Sequence, residues 1–368
     1  MNMNVYMPTR LFTGENCVKK NASYLKKLGN SCLIMTGKNG AKACGALDDA
    51  LQALESQGIT WELFDRVGQN PLLSDCMIAA KQAIAMQADF ILGIGGGSAM
   101  DAAKCTAILA ANPGMTQSVL YSLEWPCQPL PVAAIGTTSG TGSEVTKVSV
   151  ITNLEGRKKS VKADSMYPVV SYGDPRYTLT LSDYFTRSTA IDALAHCMES
   201  YFSTLANEMS RTYAIRGIRI LINEFQKMLQ EGTEALTMED RESLYHASIY
   251  GGLSIAITGT CLPHAMGYLL TEEYNLPHGI ACAVFLPSFY QHIKNTTPAL
   301  AEQFLEEIRC SEDLFLRLIQ RIIPEHTIAL TEEKIQQEHA RWIGNAAFAK
   351  TEAEVSADMA DEILRSLI

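Results

Sequence analysis

No C-x-x-C pair occurs among the ten cysteines of this 368-residue chain. The thiols stand singly, at Cys17, Cys32, Cys44, Cys76, Cys105, Cys127, Cys197, Cys261, Cys282 and Cys310. That scatter reads as reduced cysteines of a cytoplasmic protein, mostly small buried hydrophobes, and not as a disulfide framework. Long apolar runs are missing too. None approaches the roughly 18 residues needed to span a bilayer, and the opening MNMNVYMPTRLF lacks the charged and apolar blocks of a signal peptide. Basic charge is scarce: the net charge is -10 and the pI about 5.3. Nucleic acid and anionic membrane are therefore not expected as partners. Internal repeats and low-complexity linkers are also absent. What the chain does have is length and 47% hydrophobic residues, enough for a large core that should divide into two domains.

The first half alternates strand and helix patterns. Ser31 to Thr36, Ile59 to Phe64, Phe90 to Ile94 and Pro131 to Ile135 read as short apolar strands. A helix-like stretch ends at Gly58, and another is capped by Ser74 and runs to about Gln87. Strands separated by single helices imply right-handed crossovers and a parallel, Rossmann-like sheet covered on both faces. Val145 to Thr152 and Ser160 to Lys162, joined by Asn153-Leu154-Glu155-Gly156, read as an inserted β-hairpin. From about Leu181 onward the pattern is helical. The expected organisation is an α/β dinucleotide-binding domain over residues 1–180 and an all-α metal-binding domain over residues 181–368. The active site is expected in the cleft between them.

Two loops carry the α/β chemistry. Strand FILGI runs into Gly95-Gly96-Gly97, and Ser98 opens the helix AMDAAKCTAIL. Glycines let a backbone turn tightly and approach a pyrophosphate, while a helix N-terminus offers free N–H groups. Ser98 and Asp101 form a capping-box-like pair that would hold this terminus. After strand PVAAI comes a loop rich in hydroxyls and glycines, Gly136 to Thr146, suited to lie along a ribose and pyrophosphate. In the helical half, Asp192 and His196 are four apart in TAIDALAHCMESY, on one helix face. His264 and His278 follow in LPHAMGYLLTEEYNLPHG. Three imidazoles and a carboxylate suit iron(II) or zinc and leave room for a substrate oxygen. Cys197 and Cys261 lie nearby in sequence, but the Asp/His set already fills a coordination sphere.

GGGSAMDAAK, TTSGTGSEVT, GDPRYTLTLSDYFTRSTAIDALAHCMESY and PHAMGYLLTEEYNLPHG, in this order, resemble the iron-containing (group III) alcohol dehydrogenase family over nearly the whole chain. The resemblance implies a dehydroquinate synthase-like architecture. It also implies a metal- and NAD(P)-dependent alcohol dehydrogenase or aldehyde reductase acting on a small primary alcohol or aldehyde, as a homo-oligomer of two or more chains. Asp192, His196, His264 and His278 are implied as metal ligands. Asn70, Gly95, Gly96, Gly97, Ser98, Thr137, Thr138, Thr141, Thr146, Lys159 and Thr178 are implied around the cofactor, with Lys158 the alternative to Lys159. Asp101 and Lys104 are expected to act indirectly, as a loop anchor and its structural partner.

Two positions depart from many relatives. Gly37 stands where an aspartate would bind the ribose 2′-hydroxyl, and Lys38 follows it. A carboxylate there repels a 2′-phosphate; glycine beside a cation does not, so NADP(H) is expected over NAD(H), with Fe2+ or Zn2+ as the metal. Tyr268 stands where many relatives carry a further histidine, and it either hydrogen-bonds or packs. Leu253, Ile257, Leu262, Met266 and Leu269 are candidate apolar lining near His264. A zinc- and NAD-using sugar-phosphate lyase or cyclase is the runner-up within the same fold group, and a non-catalytic metal or redox sensor is the alternative outside catalysis.

Overall fold

The computed structural model describes residues 3–368. They fall into two compact units. One comprises Met7–Leu181 together with Thr237–Tyr245; the other comprises Ser182–Leu236 and His246–Ile368, with the described residues up to Tyr6. The chain thus leaves the first unit at Leu181 and returns to it for the nine residues Thr237–Tyr245. Tyr245 explains the return. Its hydroxyl donates to Glu144 Oε1 at 2.6 Å, and its ring fills the space where Gly136 and Gly173 have no side chain.

The first unit is built on a six-stranded sheet. Its strands are β1 (Arg10–Thr13), β2 (Ser31–Thr36), β3 (Thr60–Phe64), β4 (Phe90–Gly95), β5 (Val132–Gly136) and, after a hairpin of β6 (Val148–Thr152) and β7 (Lys158–Lys162), β8 (Val170–Gly173). The order is β1-β8-β5-β4-β2-β3, and every adjacent pair is parallel. Helices cover both faces, which is why SCLIMT and FILGI are apolar almost without alternation. Leu33, Met35 and Ile91 point into one core with Ala103 and Ile108. Cys32, Ile34, Leu92 and Ile94 point into the other with Ala50 and Leu54.

The parallel sheet matches the sequence expectation, while several local details differ. β1 and β8 were not anticipated: each has only four residues, too few to show periodicity. The helical stretch before Gly58 is two helices, Gly40–Ala43 and Ala46–Ser56, broken at Gly45 with φ +81°. Ser74 caps nothing: the helix Leu73–Ala85 begins one residue earlier and has no side-chain cap. Val145 lies in a 3-10 turn, Ser143–Val145, so the hairpin is shorter at its start. The Ser98–Asp101 capping box does not form either. The helix Gly97–Ala111 has Gly96 as its N-cap and no side-chain bond there. Both residues are engaged elsewhere, as described below.

The second unit is helical over its main length. Asp183–Tyr201, Glu208–Glu231, Leu262–Tyr274 and His278–Ala283 carry or flank the Asp/His residues, and Met238–Thr258 passes from the first unit into this one. Ser182 caps the first of these by accepting from Phe185 N–H. Gly279 has no room for a side chain, because Ser188 O and Asp192 Cβ occupy the space. That glycine lets the His278–Ala283 helix press against Asp183–Tyr201. Among the described residues, no single helix is long and apolar enough to cross a membrane.

Seven of the ten cysteines are buried, Cys44 and Cys310 are half-buried, and Cys127 is exposed. Burial pushes the Cys17 and Cys32 thiols up to about 12, which leaves almost no thiolate at neutral pH. Limited alkylation of the native protein followed by peptide mass spectrometry should label Cys127 first, Cys44 and Cys310 slowly, and the remaining thiols only on unfolding. Early labelling of Cys32 would show that its strand is not buried as described.

Candidate functional site

The glycine-rich loops lie at the carboxyl ends of neighbouring strands. Gly95 ends β4 opposite Gly136 of β5, and Thr137 N–H donates to Gly95 O at 3.0 Å. A side chain on Gly96 would stand 3.0 Å from Thr138 Oγ1, and one on Gly97 2.9 Å from Thr141 Cγ2. The two loops therefore touch, and only glycine permits it. Gly95, with φ +152°, also turns the chain into the helix. Because no side chain caps Gly97–Ala111, its first N–H groups are left for an anionic ligand, and the helix dipole favours one.

Gly37 follows β2, the other neighbour of β4. The order reverses here: the chain goes from β2 outward to β3 and returns past β2 to β4. Ligands of open α/β sheets bind at such switch points. Lys38 is exposed beside Gly37. Asn70 is half-buried in a segment tied on both sides: Ser98 Oγ donates to Gln69 O, and Thr152 N–H donates to Pro71 O at 2.8 Å.

Asp101 and Lys104 anchor the second loop. Lys104 is fully buried and donates to Ser143 O at 2.7 Å, Ser143 Oγ at 2.8 Å and Val148 O at 2.9 Å. Asp101 accepts from Ser143 Oγ at 2.6 Å and Val150 N–H at 2.8 Å. Burial pulls the Lys104 ammonium down to about 8, against the pull of Asp101 and Glu144. Thr146 and Thr178 are buried, and their hydroxyls donate within the loops, to Ser143 O at 3.4 Å and Pro175 O at 2.8 Å. Lys159 is exposed with its ammonium over the Tyr121 ring at 4.3 Å. Lys158 is the lysine whose charge reaches Asp101.

The helical unit gathers the remaining candidates. One ligand atom each from Asp192, His264, His278 and Cys282 lie within 4.8 Å of one another. His264 Nε2 and Asp192 Oδ1 are 3.7 Å apart, both buried and both without a hydrogen-bond partner. His196 stacks on His264, ring centroids 4.7 Å apart and planes at 24°. Tyr268 lies parallel to His278, centroids 5.9 Å apart at 19°. Of the candidate lining residues, Leu262, Met266 and Leu269 are fully buried core; only Leu253 and Ile257 are partly exposed.

Two residues of this cluster were not singled out from sequence. Glu199 is fully buried. Its Oε1 accepts from Cys261 N–H at 2.8 Å and His264 N–H at 3.1 Å, and its Oε2 meets His264 Nδ1. A carboxylate only accepts, so Nδ1 carries a proton and Nε2 is the nitrogen turned toward Asp192 for a cation. Glu199 stands seven residues after Asp192 and three after His196, so its spacing was a usable signal. Cys282 stands four residues after His278 on the helix His278–Ala283, so its spacing was a usable signal as well. Cys197 and Cys261 are buried away from the group: Cys197 Sγ packs where Gly217 has no side chain, and Cys261 donates to Glu199 O at 3.5 Å.

The donor set fits a cation. Burial opposes charge on His264, but Cys282 and Glu199 outweigh it and hold the imidazole well above its ordinary proton affinity. A site that draws a proton this strongly presents net negative potential. Glu199→Gln should keep the backbone N–H partners but offer an amide N–H to Nδ1, which places the ring proton on Nε2. Affinity for a divalent cation should then fall by roughly 10- to 100-fold in a chelator competition, with little change in the unfolding midpoint. Unchanged affinity would show that Glu199 does not set the tautomer.

Comparisons with known proteins give the family and the fold. The family model described as iron-containing alcohol dehydrogenase matches residues 8–175, and that of the C-terminal part of the Fe-containing alcohol dehydrogenase family matches residues 186–365. A 1,3-propanediol dehydrogenase of Citrobacter freundii is 32% identical over 76% of this chain and 73% of its own length. An iron-containing alcohol dehydrogenase from Thermotoga maritima superposes with TM-score 0.92 at 34% identity, covering 99% of both chains. A sulfoacetaldehyde reductase from Bifidobacterium kashiwanohense, solved in complex with NAD+, superposes with TM-score 0.88 at 25% identity over 100% of this chain and 99% of its own. The chain belongs to the iron-containing alcohol dehydrogenase family.

Proposed function

We propose that this protein transfers hydride between a nicotinamide cofactor and a small primary alcohol or aldehyde, with Fe2+, or Zn2+ in its place, held by Asp192, His196, His264 and His278. One observation carries the reading: Asp192 Oδ1 and His264 Nε2 are buried ligand atoms 3.7 Å apart with no hydrogen-bond partner. A carboxylate oxygen and an imidazole nitrogen facing each other away from water are stable only with a cation between them, a proton or a metal ion. When bound, the cation supplies Lewis-acid stabilisation of the substrate oxygen, so no protein base is essential.

The chain's own residues do the rest by positioning. Glu199 holds His264 in the tautomer that exposes Nε2, and Tyr268 packs along His278. The uncapped start of Gly97–Ala111 receives the cofactor pyrophosphate on its N–H groups, with Gly95, Gly96, Gly97 and Ser98 keeping side chains out of the way. Thr137, Thr138 and Thr141 line the adjoining loop, which Asp101 and Lys104 hold in place. Asn70, Thr146, Thr178 and Lys159 (or Lys158) complete the surroundings of the cofactor. A lyase acting on a sugar phosphate would need free basic side chains; Lys147 is taken by Asp164 at 2.6 Å, which favours the dehydrogenase reading. A cytoplasmic homo-oligomer belongs to the same reading, and the unpaired thiols support its cytoplasmic part.

Gly37 and the exposed Lys38 at the switch point support NADP(H) as the preferred cofactor. Gly37→Asp should lower the NADPH-to-NADH ratio of kcat/KM by roughly tenfold, from repulsion of the 2′-phosphate. Gly37→Asn, equal in size but neutral, should change it little; wild-type turnover with NADH equal to or better than with NADPH overturns the preference.

His264→Ala should remove most bound metal by elemental analysis and nearly all aldehyde reduction. A metal-free variant that stayed active would overturn the proposed role of the cation.

A further inference from the structure

We infer that Cys282 is a ligand of the bound cation, adding a thiolate sulfur to the carboxylate and imidazole donors. The inference rests on the metal-site reading above and deepens it. Cys282 is fully buried and sits one turn after His278 on the helix His278–Ala283, so both side chains leave the same face. Its Sγ lies 3.7 Å from His278 Nδ1 and 3.9 Å from Nε2. The same sulfur belongs to the group whose ligand atoms, from Asp192, His264, His278 and Cys282, lie within 4.8 Å of one another.

Two further features show that this placement is built. Gly267, on the facing helix Leu262–Tyr274, would put a side-chain carbon 2.7 Å from Cys282 Sγ, so a glycine opens the space the thiol fills. Asp192 Oδ1 and His264 Nε2, both buried and without hydrogen-bond partners, face the same point. Donors at roughly 2.0–2.3 Å from a shared tetrahedral cation stand about 3.3–3.8 Å apart, and the 3.7 Å separations of Asp192 Oδ1 from His264 Nε2 and of Cys282 Sγ from His278 Nδ1 fall in that range. A thiolate is the softest donor in the set. Its presence moves the site's preference from iron toward zinc relative to an all-nitrogen and oxygen sphere. On binding, the cation takes the sulfur lone pair and the thiol proton leaves to solvent, with no change of oxidation state.

The test replaces the native metal with Co2+ in the full-length protein and records its absorption. Wild type should show ligand-field bands together with an intense thiolate-to-cobalt charge-transfer band in the near ultraviolet. Cys282→Ser should keep the ligand-field bands and lose the charge-transfer band, whereas Cys197→Ser and Cys261→Ser should keep both. Ligand-field bands with no charge-transfer band in wild type would overturn the inference and leave the metal site standing. A band that survives Cys282→Ser also overturns it. Failure to bind Co2+ at all would overturn both. Should Cys282→Ser not fold, X-ray absorption of the wild-type zinc form decides: a Zn–S shell at about 2.3 Å is expected, and only nitrogen and oxygen neighbours would overturn the assignment.

Discussion

Two electron-rich atoms held face to face without water set the terms for the helical unit. Asp192 and His264 each present an acceptor to the same buried point, and neither can turn away. Asp192 is fixed mid-helix in Asp183–Tyr201. His264 is fixed through Nδ1 by Glu199, a residue of that same helix. The helix therefore supplies a donor and also the clamp that aims another donor at it. Gly279 and Gly267 are consequences of this arrangement, because the helices bearing His278 and His264 must approach closely enough for side chains to meet. The two atoms need a positive charge between them, and the negative surroundings of His264 draw one, a proton in the metal-free protein or a metal ion in its place.

The sheet unit follows a different logic. Its site is made of what has been left out. Glycines stand where side chains would collide with the neighbouring loop, and the helix after β4 starts without the cap that its sequence promised. Ser98 and Asp101 have the right identities and spacing for a capping box, but tertiary partners take both. The loop they brace is held by a buried lysine whose three ammonium hydrogens all find oxygen acceptors. That satisfies the condition under which a buried cation is tolerated.

Legibility from sequence tracked the range of the interactions. Strands β2, β4 and β5 were visible because burial on both faces leaves a continuous apolar run. β1 and β8 were not, since four residues show no period and β1 is held only at the sheet edge by β8. The Asp/His set was visible because three of its members are histidines in apolar surroundings. Glu199 was visible in principle, lying on the same helix stripe, but a lone glutamate at a helix end resembles a solvated one until its burial is known. Cys282 had the spacing, one turn after His278, but its burial was not legible; the tight approach of the two glycine loops depends on which surfaces meet, which no local spacing encodes. Leu262, Met266 and Leu269 show the same limit: helical spacing cannot tell core from lining, and the structure makes them core.

The bare start of the helix Gly97–Ala111 has a thermodynamic corollary. Amide hydrogens with no capping side chain are a deficit in the empty protein, and an anion seated on them removes it. Since such a ligand binds the native chain and not the unfolded one, resistance to heat grows with the logarithm of its concentration above the dissociation constant. With a coenzyme seated there, its concentration would add to the protein's own packing in setting resistance to unfolding.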